Sequence, residues 1–128
     1  MPELIAKSAL SGRAPLTLGQ YLEGETRILN PTTLDSRLLP VPADDFIEPP
    51  GALGLIEIPN QLSQVQQADS GLARAWREHV RAVIMAVMAQ GFILTDFVHE
   101  THKGRPRSFY VCSHEGTLRQ FDRNFNQN

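Results

Sequence analysis

The hydrophobic positions of the chain change their spacing near residue 52, and the second half is the more regular. Leu53–Ile58 (LGLIEI) is a short, apolar run that ends at Pro59, which is typical of a buried strand. Between Asp69 and Gln90 apolar residues recur every three or four positions, which predicts an amphipathic helix with one buried stripe. The stripe consists of Leu72, Trp76, Val80, Val83, Ile84 and Val87.

Both ends of this helix carry residues that commonly begin or end helices. Asp69 or Ser70 can accept a hydrogen bond from the first unpaired amides of a helix. Gly91 follows directly, at the position where a left-handed residue ends many helices. Arg74 and Glu78 lie four residues apart on the polar side, a spacing that supports a helix.

Two further strands are predicted after the helix. Phe92–Glu100 (FILTDFVHE) is rich in strand formers, and Arg107–Ser113 (RSFYVCS) returns after a polar turn at His102–Pro106. The region Leu55 to Ser113 therefore forms a strand–helix–strand–strand unit that ends in a β-hairpin. One face of the first hairpin strand is expected to carry Phe92, Leu94, Asp96 and Val98.

The first half differs because seven of the nine prolines fall within its first fifty residues. Proline fixes φ and lacks an amide donor, so long helices and central strands are not expected there. Short extended pieces are predicted at Glu25–Leu29 and Arg37–Val41, separated by turns. We interpret residues 1–51 as an irregular, proline-rich extended arm or connector, with a disordered tail as the alternative. Residues 52–128 form the folded lobe, in which Phe121 and Phe125 belong to a short docking helix or a frayed end.

These elements predict an α+β fold: a short mixed or antiparallel sheet, one long amphipathic helix and a C-terminal β-hairpin. A chain of 128 residues with 41% hydrophobic and 20% charged residues is typical of one soluble domain. The net charge of −2 gives no reason to expect nucleic acid or an anionic membrane as partner. The single Cys112 excludes an internal disulfide, and without a long apolar segment we expect a cytoplasmic protein.

The order of these segments resembles the C-terminal half of the GNAT superfamily of CoA-dependent N-acyltransferases. The residues that carry the resemblance are LGLIEIP, ADSGLARAWREHVRAV, the Gly91-Phe92 break and TDFV, preceded by the connector ILNPTTLDSRLLPVP. The resemblance covers roughly residues 25 to 112 and implies a partial GNAT-like fold.

Two departures from that family concern its chemistry. The resemblance implies a glycine-bearing loop that opens a helix and cradles the acyl-CoA pyrophosphate, but Gly51-Ala52-Leu53-Gly54 precedes a strand instead. It also implies a tyrosine general acid four residues before the Gly-Phe pair, where this chain has Val87. We therefore expect no cofactor to bind this chain alone, and acyl-CoA only with a complementing half.

Three residues are candidates for acceptor-side catalysis. Glu57 and Asp96 are carboxylates within apolar strands, where a charge needs a partner or a function. Tyr110 could supply a hydroxyl in a substrate cleft. The structural alternatives are an Asp96 that points to water or pairs with Arg107, and a Tyr110 that belongs to the core.

Other reactive side chains have simpler interpretations. His79 is a candidate base that is better explained as a boundary residue beside the apolar stripe. His99, Glu100 and His102 are neighbours on a turn, which rarely converge on zinc, so no metal site is predicted. Cys112 is a small core residue.

Two functions are consistent with this pattern. The first is an acyltransferase-like domain that is incomplete without a partner chain and transfers an acyl group from CoA to an amine. The second is a non-enzymatic binding or assembly module, such as a homodimer, in which a twin subunit or the arm covers the apolar helix stripe and the exposed sheet edge. The positive stripe of Arg74, Arg77 and Arg81 is either a solvated face or a contact surface.

Overall fold

The computed structural model describes residues 17–24 and 26–114. The elements in chain order are α1 (Leu18–Glu23), β1 (Arg27–Ile28), β2 (Thr33–Leu34), β3 (Pro40–Val41), β4 (Leu53–Ile58), α2 (Leu62–Ala68), α3 (Ser70–Ala89), β5 (Phe92–His102) and β6 (Arg105–His114). The predicted α+β class, long helix and C-terminal hairpin are confirmed. Glu25 and the tail with Phe121 and Phe125 lie outside the described residues.

The main sheet is mixed and has four strands in the order β1-β4-β6-β5. The short strand β1 pairs parallel to β4, whereas the β4–β6 and β5–β6 pairs are antiparallel. The return strand β6 therefore lies between β4 and its own hairpin partner. This places β4 and the apolar segment 109–112 of β6 at the centre of the sheet.

The sheet buries side chains on both faces. On one face, here called the α3 face, Val83 and Val87 of α3 pack against Ile56 and Leu94. Fully burying an aliphatic side chain of this size stabilises the fold by roughly 1.5–3 kcal/mol. On the opposite α1 face, α1 packs against β4, β5 and β6. That second cluster contains Leu18, Tyr21, Leu55, Val98, Phe109 and Val111.

Helix α3 begins and ends as the sequence predicts. The Asp69 carboxylate accepts a hydrogen bond from the Leu72 amide at 3.0 Å, which satisfies one unpaired donor of the first turn. Gly91 has a φ of +92°, the left-handed conformation expected just after the helix. A Cβ at this position would also lie 3.0 Å from Nε2 of His114, which would have to shift, so the positive φ is the main reason for glycine here.

The predicted faces of β5 are wrong beyond Leu94 because the strand contains a β-bulge. Leu94 pairs with Cys112 and Asp96 pairs with Val111, so Thr95 is an extra residue. An extra residue reverses the alternation, because side chains in a strand point to opposite faces with a period of two. Asp96 consequently lies on the α1 face with Val111, while Phe92 and Leu94 lie on the α3 face.

The hairpin turn is tighter than predicted. Only Lys103 and Gly104 link the strands, and both have positive φ (52° and 81°), as a two-residue type I′ turn requires. Arg105 and Pro106, predicted as turn residues, belong to β6. Proline is tolerated there because β4 ends opposite Ser108, so no strand neighbours Pro106 on its outer side.

The proline-rich half contributes directly to the sheet. Arg27–Ile28 forms β1 within the predicted extended piece, and Pro40–Val41 forms β3 within the other. The strand β2, which pairs with β3 in a small hairpin, and the helix α1 were not predicted. The indole N–H of Trp76 donates to the carbonyl of Pro40 at 2.8 Å and so ties this hairpin to α3.

None of the helices within residues 17–24 and 26–114 is long and apolar enough to cross a bilayer.

Candidate functional site

Glu57 is buried at the end of β4 and is fully occupied by hydrogen bonds. The Nε and Nη2 of Arg107 donate to its two carboxylate oxygens at 2.8 and 2.6 Å. The amide of Thr32 donates to the same Oε1 at 2.9 Å. A carboxylate held in this way by three donors is a structural ion pair, and it has little capacity to remove a proton from a substrate.

Asn30 extends the sheet beside Glu57, a role that the sequence analysis missed. Its amide oxygen accepts from the Glu57 N–H at 2.7 Å, and its amide nitrogen donates to the Glu57 carbonyl at 2.9 Å. The side chain therefore takes the place of a backbone strand neighbour where β1 has ended. The other hydrogen of the amide nitrogen faces Nε2 of His79 at 3.1 Å.

His79 is thereby linked to the sheet through Asn30. Because Nδ2 of Asn30 is a donor, Nε2 of the imidazole accepts, and the neutral ring carries its proton on Nδ1. The ring makes edge contacts with Phe46 and Trp76. Burial lowers the pKa of His79 below its ordinary value of 6.5. His79 is therefore half-buried at the edge of the apolar stripe, as the sequence predicted, and its neutral form is favoured.

Asp96 is buried on the α1 face and does not pair with Arg107. One carboxylate oxygen accepts from the amide of Phe97 at 2.8 Å. The other oxygen, Oδ2, is buried and has no hydrogen-bond partner in the described part of the chain. Asp96 is thus an unusual group in the interior, and it owes its position to the bulge at Thr95.

Tyr110 lies on the α3 face, opposite to Asp96 and Glu57. It borders an open groove of about 440 Å³ between α3, α2 and the end of β4. The apolar part of its lining includes Ile58, Leu62, Val80 and Ile84, with Trp76 and Met85. Two arginines of α3, Arg77 and Arg81, border the same groove one helical turn apart.

The three candidate residues do not form one catalytic centre. Glu57 lines a different cavity of about 230 Å³, and Asp96 lines neither of the two. Glu57 and Asp96 share the α1 face but are separated by β6, while Tyr110 points to the other face. Acid–base catalysis requires groups within hydrogen-bond reach of the same reacting atoms, and this arrangement does not provide them.

The residues considered for cofactor binding or covalent chemistry are packed in the interior of the fold. Gly54 lies within β4, where a Cβ would come within 3.1 Å of Cys112 Sγ and of Leu29. Val87, where the resemblance implied a tyrosine, is buried against the sheet. Burial raises the pKa of the Cys112 thiol to about 11, which makes it a poor nucleophile.

The described residues contain no group of three histidine, cysteine or acidic side chains that could hold a metal ion. His99 instead bonds through Nδ1 to the hydroxyl of Ser108 at 2.7 Å.

No protein-family model, curated protein or solved structure matches this chain. Its function is therefore inferred from the geometry of its own residues.

Proposed function

We propose that this domain is a binding module that holds an amphiphilic anion, with an apolar tail and a carboxylate, in the groove beside α3. The observation that carries the proposal is the groove itself, about 440 Å³ of largely apolar surface with Arg77, Arg81 and Tyr110 at its walls. Ligand sites commonly have this size and combine an apolar lining with a few polar groups that orient the ligand.

The two kinds of lining residue complement the two parts of such a ligand. Val80, Ile84 and Leu62 would remove an alkyl chain from water, which contributes about 0.8 kcal/mol per buried methylene. Arg81 and Arg77 would attract the carboxylate, since guanidinium groups form strong, charge-assisted hydrogen bonds with carboxylates. Both carboxylate candidates for proton transfer lie outside the groove, which favours binding over catalysis by this chain alone.

Trp76 provides the test, because it is the single tryptophan and lines the groove. Titration of the chain with octanoate should change the Trp76 fluorescence saturably, and octylammonium at equal concentration should not. Arg81→Gln should weaken octanoate binding about tenfold, the loss of one charge-assisted hydrogen bond.

Arg74→Gln is the matched control for this experiment. Arg74 lies on the same helix, is exposed, pairs only with Glu78 in the described structure and does not line the groove. Its substitution should leave octanoate binding within about twofold of the wild type, since a distant surface charge contributes little. Equal binding of octylammonium, or equal losses in both arginine variants, would contradict the proposal.

A second copy of the chain is the competing occupant of the groove. Met85 and Phe97 are exposed large apolar residues close to Tyr110, which is a feature of contact surfaces. Sedimentation velocity with and without octanoate separates the two cases. A dimer that octanoate does not dissociate, together with an unchanged Trp76 signal, would show that the groove serves self-association instead.

An acyltransferase-like function completed by another chain is the second candidate. It is supported by the strand–helix–strand–strand order of β4, α3, β5 and β6, and by the Tyr110 hydroxyl at a groove wide enough for an acyl group. A partner would then supply the loop for acyl-CoA. Calorimetry with acetyl-CoA tests it: binding only after addition of a loop-bearing partner chain supports complementation. Micromolar binding by the isolated chain would instead contradict the binding-module proposal.

A further inference from the structure

A second cavity lies on the other side of the Ile58–Pro59 segment from the groove. It has a volume of about 230 Å³ and is bounded by the β2–β3 hairpin, the end of β4 and the start of β6. Ile58 and Pro59 border both cavities, so they form a shared wall. The second cavity is more polar, because besides two arginines, Arg105 and Arg107, its lining includes Thr32, Glu57, Asn60, Gln61 and Gln64.

The charges around this cavity leave one positive group in excess. Arg107 is neutralised by Glu57, whose two oxygens both accept from its guanidinium. Arg105 also lines the cavity, and its described hydrogen bond goes to the carbonyl of Thr32 at 3.0 Å. A carbonyl has no net charge, and none of the ion pairs among the described residues includes Arg105.

A buried hydroxyl close to Arg105 is a second, independent observation at this cavity. Thr32 is 8% exposed, and its Oγ1 is buried without a hydrogen-bond partner in the described residues. Buried polar atoms in folded proteins are nearly always paired, so an unpaired one needs an explanation. The amide of Thr32 already donates to Glu57, so the hydroxyl is the unpaired polar group of this residue, and because it is buried it meets a ligand only after the side chain turns toward the cavity.

The rim of the cavity is apolar and strained. Leu38 has a φ of +63°, a conformation that leucine rarely adopts, and its side chain is 75% exposed. Leu34, also on the rim, is exposed as well. Strained positions cluster at ligand clamps, so Leu38, which lies in the turn between β2 and β3, is a candidate contact at the rim of this cavity.

The geometry points to a binding site for a small organic carboxylate with a short branched apolar group. Its carboxylate accepts hydrogen bonds from Arg105 and, once the Thr32 side chain turns toward the cavity, from the Thr32 hydroxyl. Its apolar group lies under Leu38 and Leu34. The site is separate from the groove beside α3 and does not depend on the function proposed for that groove.

Amide chemical shifts of the full chain, labelled with ¹⁵N, test this site with 4-methylpentanoate. The expected result is a saturable shift of the Thr32 and Arg105 amides. The uncharged 4-methylpentanamide and inorganic phosphate should each bind at least about tenfold more weakly, because one lacks the charge and the other the apolar group. Shifts confined to residues of the groove would overturn this inference while supporting the first proposal.

Substitutions make the test specific. Arg105→Gln should weaken 4-methylpentanoate about tenfold, while Arg105→Lys keeps the charge and retains most of the binding. Thr32→Val should weaken 4-methylpentanoate binding about threefold or more, whereas Thr32→Ser, which keeps the hydroxyl, should retain it. Lys103→Gln removes a charge from the exposed turn between β5 and β6, two residues before Arg105, and should change the affinity less than about twofold. Unchanged binding in Arg105→Gln, or equal loss in Lys103→Gln, would overturn the site.

Discussion

The side chain of Asn30 pairs with both the N–H and the carbonyl of Glu57, at 2.7 and 2.9 Å, and so continues the sheet by one side chain after β1 ends. Asn30 is fully buried, and its remaining donor faces His79 on α3. One amide thus connects the first half of the chain, the central strand β4 and the long helix.

Asn30→Ala should lower the free energy of unfolding by about 2–4 kcal/mol, because two backbone groups of Glu57 lose their partners and each costs about 1–3 kcal/mol. Urea denaturation measures the change. Gln67→Ala, at an exposed position of α2, is the control and should change stability by less than about 0.5 kcal/mol. A similar small effect in Asn30→Ala would show that water replaces the amide.

The pair Glu57–Arg107 should behave as a structural unit. Glu57→Leu or Arg107→Met alone leaves one buried charge unpaired and should destabilise the fold by about 3–5 kcal/mol. The double variant should recover most of that loss, because no charge then remains unpaired. A double-mutant cycle in urea gives the coupling. Additive losses would argue against the ion pair as the reason for a charge within β4.

The helix and strands that have strong local sequence signals were predicted correctly, whereas the residue register between strands was not. The period of α3, its Asp69 cap and Gly91 are local, and the strand β4 has the predicted bounds. The bulge at Thr95 depends on how β5 pairs with β6, which no local signal shows. The strand pattern alone therefore placed Asp96 on the same face as Leu94, whereas the two lie on opposite faces.

The candidate sites were harder to predict for the same reason. Glu57 was correctly singled out as a charge that needs a partner, but that partner is fifty residues away in sequence. Asn30, Thr32 and Arg105 meet only because β1, β4 and the hairpin come together, and no spacing in the sequence connects them. Tyr110 was predicted to belong either to the core or to a cleft, and it packs against the core cluster on the α3 face while bordering the groove.

The stability of the fold should fall as the pH drops below about 6.5, in part through His79. Burial lowers the pKa of His79 in the folded chain, so the unfolded chain binds more protons in this range and acid favours unfolding. The contribution is fully present above pH 6.5 and is lost as the pH falls toward the folded pKa.

Urea midpoints between pH 7.5 and pH 5 test this in the wild type and in His79→Gln, whose amide can still accept from Asn30. The decline should be smaller in His79→Gln. Gln67→Ala, which changes no titratable group, serves as the control and should keep the wild-type decline. Identical profiles for wild type and His79→Gln would exclude His79 as the source.

Asp96→Val should raise the free energy of unfolding by about 1 kcal/mol. The substitution removes the unpaired Oδ2 and places a strand-forming apolar residue opposite Val111, gains that outweigh the loss of the bond to the Phe97 amide. Asp44→Val, at an exposed position, should give no such gain. A destabilised Asp96→Val would reveal a partner for the carboxylate and return Asp96 to the candidate functional residues.

Leu38→Gly should stabilise the chain by about 0.5–1 kcal/mol, the difference between a left-handed penalty of about 1–2 kcal/mol and the entropy cost of glycine. Little packing is lost because the Leu38 side chain is largely exposed. Ser36→Gly in the same loop lacks a positive φ and should instead lower the melting temperature. If Leu38 contacts a carboxylate ligand, the stabilised Leu38→Gly chain should also bind 4-methylpentanoate more weakly. Tighter or equal binding would mean that the strain serves no ligand at this cavity.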